Sequence, residues 1–75
     1  MKTLKRNTLY KLSVHASFYE NKEGQTCVPL YVGDVILYLG FIDGLHQFIT
    51  KNKVFYRKNI TLLCKNLTVV IESKL

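Results

Sequence analysis

The stretch "YVGDVILYLGFIDG", residues 31–44, decides how the rest of the chain is read. Gly33-Asp34 marks a turn, and the apolar run Val35-Ile36-Leu37-Tyr38-Leu39 follows it. Asp43-Gly44 then closes the segment with a pair that tolerates the positive φ of a hairpin turn. A short apolar run bounded by turn residues is the pattern of a strand covered on both faces. The strand is expected over 30–41.

Working outward, Tyr10, Leu12, Val14, Ala16 and Phe18 alternate with Lys11, Ser13, His15 and Ser17. A period of two over that length predicts one half-buried strand with even positions inward. Residues 20–29, "ENKEGQTCVP", read as a polar loop punctuated by Gly24 and Pro29. Downstream, strands are expected at 45–50, 54–57 and 67–72, with a tight turn at Lys51-Asn52-Lys53. The segment "KNITLLCKN", 58–66, fits either a short helical turn or a strand extension. No stretch carries sustained helical periodicity, and no repeat is present.

Composition narrows the class further. Seventy-five residues, 48% of them apolar and 12% aromatic, make one small ordered domain. Such a chain buries only about 60–65% of the surface its unfolded form exposes. The apolar run at 35–39 falls far short of the roughly 20 residues a spanning helix needs. Lysines interrupt "MKTLKRNTLYKLSV" before a signal-peptide core can form. A cytoplasmic protein with no membrane partner is therefore expected. The two cysteines are then expected reduced, and the Asn59-Ile60-Thr61 and Asn66-Leu67-Thr68 glycosylation patterns carry no meaning.

The order of elements and loop lengths over 9–72 resembles the SH3-like barrel. The fold expectation is all-β: a small five-stranded SH3-like barrel, with 1–8 as a basic N-terminal arm and 9–75 as the barrel. The barrel expectation admits a short helical turn before the last strand. Gly33-Asp34, Ile36, Tyr38, Gly40 and Gly44 also resemble part of a KOW element, the glycine-centred SH3-like unit of ribosomal proteins and transcription elongation factors. That likeness implies nucleic-acid binding. The next expected KOW glycine after Gly44 is missing. The overall texture is similar to small accessory proteins of tailed bacteriophages, which would place the protein in the host cytoplasm. The peptide-binding SH3 family does not fit, because its aromatic groove normally includes a Trp and this chain has none.

Catalysis and metal binding are not expected. Cys27, Cys64, His15 and His46 are the only candidates for a Cys–His pair, and none sits in an activating context. Their spacings of 12, 19 and 18 residues lack the close ligand pairs of structural zinc sites. No cofactor is expected.

Charge supplies the remaining signal. Eleven Lys and Arg against five Asp and Glu give a net charge of +6. Lys51, Lys53, Arg57 and Lys58 cluster with Phe55 and Tyr56, and the arm adds Lys2, Lys5 and Arg6. If Val54 and Tyr56 complete the core, Lys53, Phe55 and Arg57 form an exposed stripe, with cations for phosphates and a ring for a base. Phe55 facing inward would instead put Tyr56 outside. Two functions follow: weak nucleic-acid binding through the basic-aromatic hairpin, or an adaptor that docks on an acidic protein surface. Neither function is enzymatic.

Overall fold

The alternation over 9–18 becomes two strands, because the chain changes partners in the middle of it. The computed structural model describes residues 4–71, apart from the side chains of Leu62 and Ile71. The elements are β1 (Thr8–Leu12), β2 (Ala16–Tyr19), β3 (Cys27–Leu30), β4 (Val35–Ile42), β5 (Leu45–Thr50), β6 (Lys53–Arg57), a single helical turn α1 (Thr61–Cys64), and β7 (Leu67–Ile71). Residues 1–3 of the expected arm and Glu72 of the expected last strand lie outside the described residues.

All seven strands form one antiparallel sheet in the order β3-β2-β6-β5-β4-β1-β7. β1 and β2 are consecutive in sequence yet stand four strand spacings apart, about 19 Å in a flat sheet. The link from Leu12 to Ala16 has four Cα steps and reaches about 14 Å at most. The sheet must therefore curl. Ser13, Val14 and His15 make the crossing, and the Ser13 N–H donates to the Asn66 carbonyl at 2.8 Å.

The expected five-stranded closed barrel is corrected by these ladders. β3 and β7 end the sheet, and no ladder joins them among the described residues, so the sheet is curled but open. β3 lies inside what reads as a polar loop. Its Pro29, opposite Ser17, is tolerated because β3 is an edge strand.

Two-residue loops make the central hairpins. Asp43-Gly44 joins β4 to β5, and Lys51-Asn52 joins β5 to β6, with all four residues at positive φ. That is the pattern whose twist matches the flanking strands. In β4 the register shifts between Tyr38 and Gly40, and Gly40 sits at φ +126°. A Cβ there would stand 3.1 Å from Arg6 Nε, so glycine answers both the bulge and the close approach.

One core fills the inner side. Tyr10, Leu12, Phe18, Leu30, Ile36, Tyr38, Phe48, Phe55, Leu63 and Leu67 form a single buried cluster. Phe18 meets Phe48 edge to face at 5.3 Å, and Tyr38 packs on Phe48 at 5.2 Å. Phe55 lies directly opposite Phe48 across the ladder and is 3% exposed. The helical turn contributes Leu63, and Asn59 Oδ1 accepts the Thr61 N–H at 2.8 Å at its start.

Phe55→Ala should lower unfolding free energy by about 3–5 kcal/mol in urea titrations, as for other fully buried aromatics. Ile49→Ala, on the opposite face, should cost under about 1 kcal/mol. The reverse ranking would mean that β5 and β6 are turned over.

Candidate interaction surfaces of the sheet

Because Phe48 and Phe55 pair inward, the alternate positions of the same strands face outward. The ladders place Val54 opposite Ile49, Ile49 opposite Leu37, and Leu37 opposite Leu9. Four aliphatic side chains thus run in one row across β6, β5, β4 and β1, spanning about 14 Å. Ile49 is 37% exposed, and the other three are half-buried. Val35, two residues along from Leu37, is 39% exposed and lies opposite Lys11. On the other side of the row, Tyr56 stands opposite Gln47 and Tyr19, extending the surface toward β2.

The continuous apolar run of β4 reads as a strand covered on both faces, yet its inner and outer sides differ. Ile36 and Tyr38 on the inner side are buried, whereas Val35 and Leu37 on the outer side are exposed and half-buried, and the bulge after Tyr38 turns Gly40 to the outer side opposite Gln47. No described element lies over the outer row. Sequence reasoning missed this row, although its signal was present: β4 is apolar at both parities and β5 repeats Ile49 beside Phe48.

Cations stand around the row, with Asp34, just before β4, as a partner of Lys51 at 3.7 Å. Strands β1, β4, β5 and β6 contain no Asp or Glu. Lys11 is exposed on β1, and Lys51 is exposed two residues beyond Ile49. The Arg6 side chain lies across Gly40, and its Nε donates to the Leu39 carbonyl at 3.3 Å.

The residues singled out for the basic-aromatic hairpin are distributed differently. Phe55 is in the core, so the stripe of Lys53, Phe55 and Arg57 is corrected: no ring is available there to stack on a base. Tyr56 is the half-buried ring on the outer side. Lys53 Nζ pairs with Glu20 Oε1 at 3.3 Å, and Lys51 Nζ approaches Asp34 Oδ2 at 3.7 Å. Such exposed pairs stabilise by at most about 1 kcal/mol, but they partly offset the charge of the hairpin.

Arg57 is half-buried rather than a free surface cation. Its Nη1 donates to the Ser17 carbonyl at 2.9 Å, its Nε donates to the Asn59 carbonyl at 3.0 Å, and its guanidinium lies over the Phe18 ring. Burial pulls its pKa down from the usual arginine value. Lys58 is exposed. In the arm, the Lys5 side of the chain is tied by its N–H to the Tyr10 hydroxyl at 2.8 Å, the Asn7 N–H bonds the Tyr38 carbonyl, and Leu4 packs against the core.

The candidates for chemistry are not assembled. Cys27 is exposed and Cys64 buried, and neither forms a disulfide. Among the described residues no three His, Cys, Asp or Glu side chains are placed to hold a metal ion, and no helix is long and apolar enough to cross a membrane.

One polar contact inside the sheet involves a histidine. His46 Nδ1 and the Tyr38 hydroxyl share a 2.8 Å hydrogen bond, with Phe41 packed on the imidazole and Arg57 opposite in the ladder. Burial, and then the Arg57 charge, lowers the His46 pKa below 6.5. Burial also raises the Tyr38 pKa, which keeps the phenol neutral.

Compared with known protein families, characterised proteins and solved structures, the chain matches none of them.

The His46 shift sets a pH dependence. An imidazole harder to protonate in the folded state makes the unfolded chain bind more protons below the unfolded pKa. Stability should therefore fall as pH drops through 6.5 and level off below the folded pKa. His46→Gln should flatten melting temperature against pH over that window. An equally steep slope in the variant would contradict the assignment.

Proposed function

We propose that this chain is a small, non-enzymatic docking module that binds an acidic partner protein through the outer face of β6, β5, β4 and β1. The observation that carries the reading is the aliphatic row Val54–Ile49–Leu37–Leu9, with Ile49 exposed and the other three half-buried, on strands that carry no Asp or Glu and near Arg6, Lys11 and Lys51, the last of which pairs with Asp34. Covering the row supplies apolar burial, and the surrounding cations select a partner with acidic residues around an apolar centre. A second copy of this chain is disfavoured by its own excess of positive charge.

The order of elements supports an SH3-like arrangement in an opened form. A first strand, a hairpin with a long loop, three strands joined by tight turns, one helical turn and a last strand follow one another around a single core. Two cysteines outside any disulfide suit a cytoplasmic setting.

Nucleic-acid binding now has diffuse charge in its favour and no stacking ring at Phe55. It predicts binding that collapses as salt rises, with a slope of log K on log salt near about −4 for five phosphate contacts.

The test is recovery of partners from nuclease-treated lysate by the wild-type chain and by Ile49→Asp, whose melting temperature is checked first. One acidic protein should be recovered stoichiometrically by the wild type and reduced at least about tenfold by the variant, as for a central interface residue. Loss of every partner after nuclease, or equal recovery by the variant, would overturn the proposal.

A further inference from the structure

β2 and β6 pair only at Tyr19 and Tyr56. Beyond that point the strands part and leave a groove of about 390 Å³ lined by Ser17, Tyr19, Cys27, Arg57, Lys58 and Asn59. Two cations line it and no carboxylate does. The Arg57 guanidinium reaches into the gap and bonds the Ser17 carbonyl of β2 and the Asn59 carbonyl just beyond β6.

A guanidinium has five N–H donors. Two of those in Arg57 are used on the carbonyls, and no acidic side chain among the described residues pairs with it. A partly desolvated cation without a counter-ion is costly, and an oxyanion is the group that relieves it. Lys58 lines the same groove with a second positive charge, and Ser17, Tyr19 and Asn59, which also line it, carry a hydroxyl, a phenol and an amide that can donate to an oxyanion. Two charges favour a dianion over a monovalent carboxylate. The volume also exceeds that of a bare phosphate, leaving room beside the Tyr19 ring for the body of a ligand.

We propose that the groove between β2 and β6 is a phosphate-binding site, in which Arg57 and Lys58 hold the dianion of phosphate or of a phosphate monoester. The site does not depend on the docking face, and either can fail without the other.

The test is an NMR titration of the full chain with inorganic phosphate, phenyl phosphate and acetate, against sodium chloride at matched ionic strength. Both phosphates should give saturating amide shifts centred on residues 17, 19, 27 and 57–59, and acetate should bind more weakly. Tighter binding of phenyl phosphate marks an organic monoester as the ligand, whereas tighter binding of inorganic phosphate marks the free ion. Lys58→Gln, at an exposed position, should weaken binding about fivefold, the worth of one partly exposed charge-assisted contact. Arg57→Gln should abolish saturation if it remains folded. Lowering pH from 8 to 6 should weaken phenyl phosphate as its second proton returns, and leave acetate unchanged. Shifts that rise linearly, match those from chloride, centre on Lys51 and Lys53, or are unchanged in Lys58→Gln would overturn the site.

Discussion

The edge-to-face contact of Phe18 with Phe48, backed by Tyr38 and Phe55, is the constraint on which the rest of this molecule depends. Phe18 comes from the β2–β3 hairpin and Phe48 from the middle of the central strands. Their contact holds the hairpin against the sheet where only one backbone pair, Tyr19 with Tyr56, joins them. It also sets strand parity. Side chains alternate along a strand, so an inward Phe48 sends Ile49 outward, and the facing ladder then sends Phe55 inward and Val54 outward. A slip of one residue would bury the aliphatic row and expose the aromatics.

Two surfaces follow from that parity. The outer face of the central strands is apolar in the middle and basic at its margin, because β4 is apolar at both parities while one parity suffices for the core. Arg6 reaches this margin because Gly40 presents no side chain, so the bulge that bends β4 also seats a cation. The groove at Arg57 arises where curvature ends the β2–β6 ladder. There the guanidinium bonds the Ser17 carbonyl of β2, and its charge is left partly desolvated.

Much of the fold was legible in the sequence. Asp43-Gly44 and Lys51-Asn52-Lys53 announced the two tight turns, although Lys53 already belongs to β6, and the alternation in β1 and the apolar run of β4 announced their strands. The break at Ser13–His15 was not legible, because alternation continues through it, and only the sheet order shows that the chain changes partners there. β3 was hidden by its polar surroundings and by Pro29, which an edge strand accepts. The orientation of "KVFYR" was open because both parities carry an aromatic. Phe48 across the ladder resolves it, and no local rule contains that contact. The same ambiguity moved the candidate site from Phe55 to the row around Ile49, while Arg57 turned out half-buried against the Ser17 and Asn59 carbonyls.

The most direct measurement is solvent paramagnetic relaxation enhancement on the free protein, using a neutral gadolinium chelate. The account predicts strong broadening of the Ile49 and Val35 methyls, intermediate broadening of Leu37 and Val54, and near-complete protection of the Phe18, Phe48 and Phe55 rings. Protected Ile49 methyls beside a broadened Phe55 ring would contradict it, since the strands would then present their other face to water.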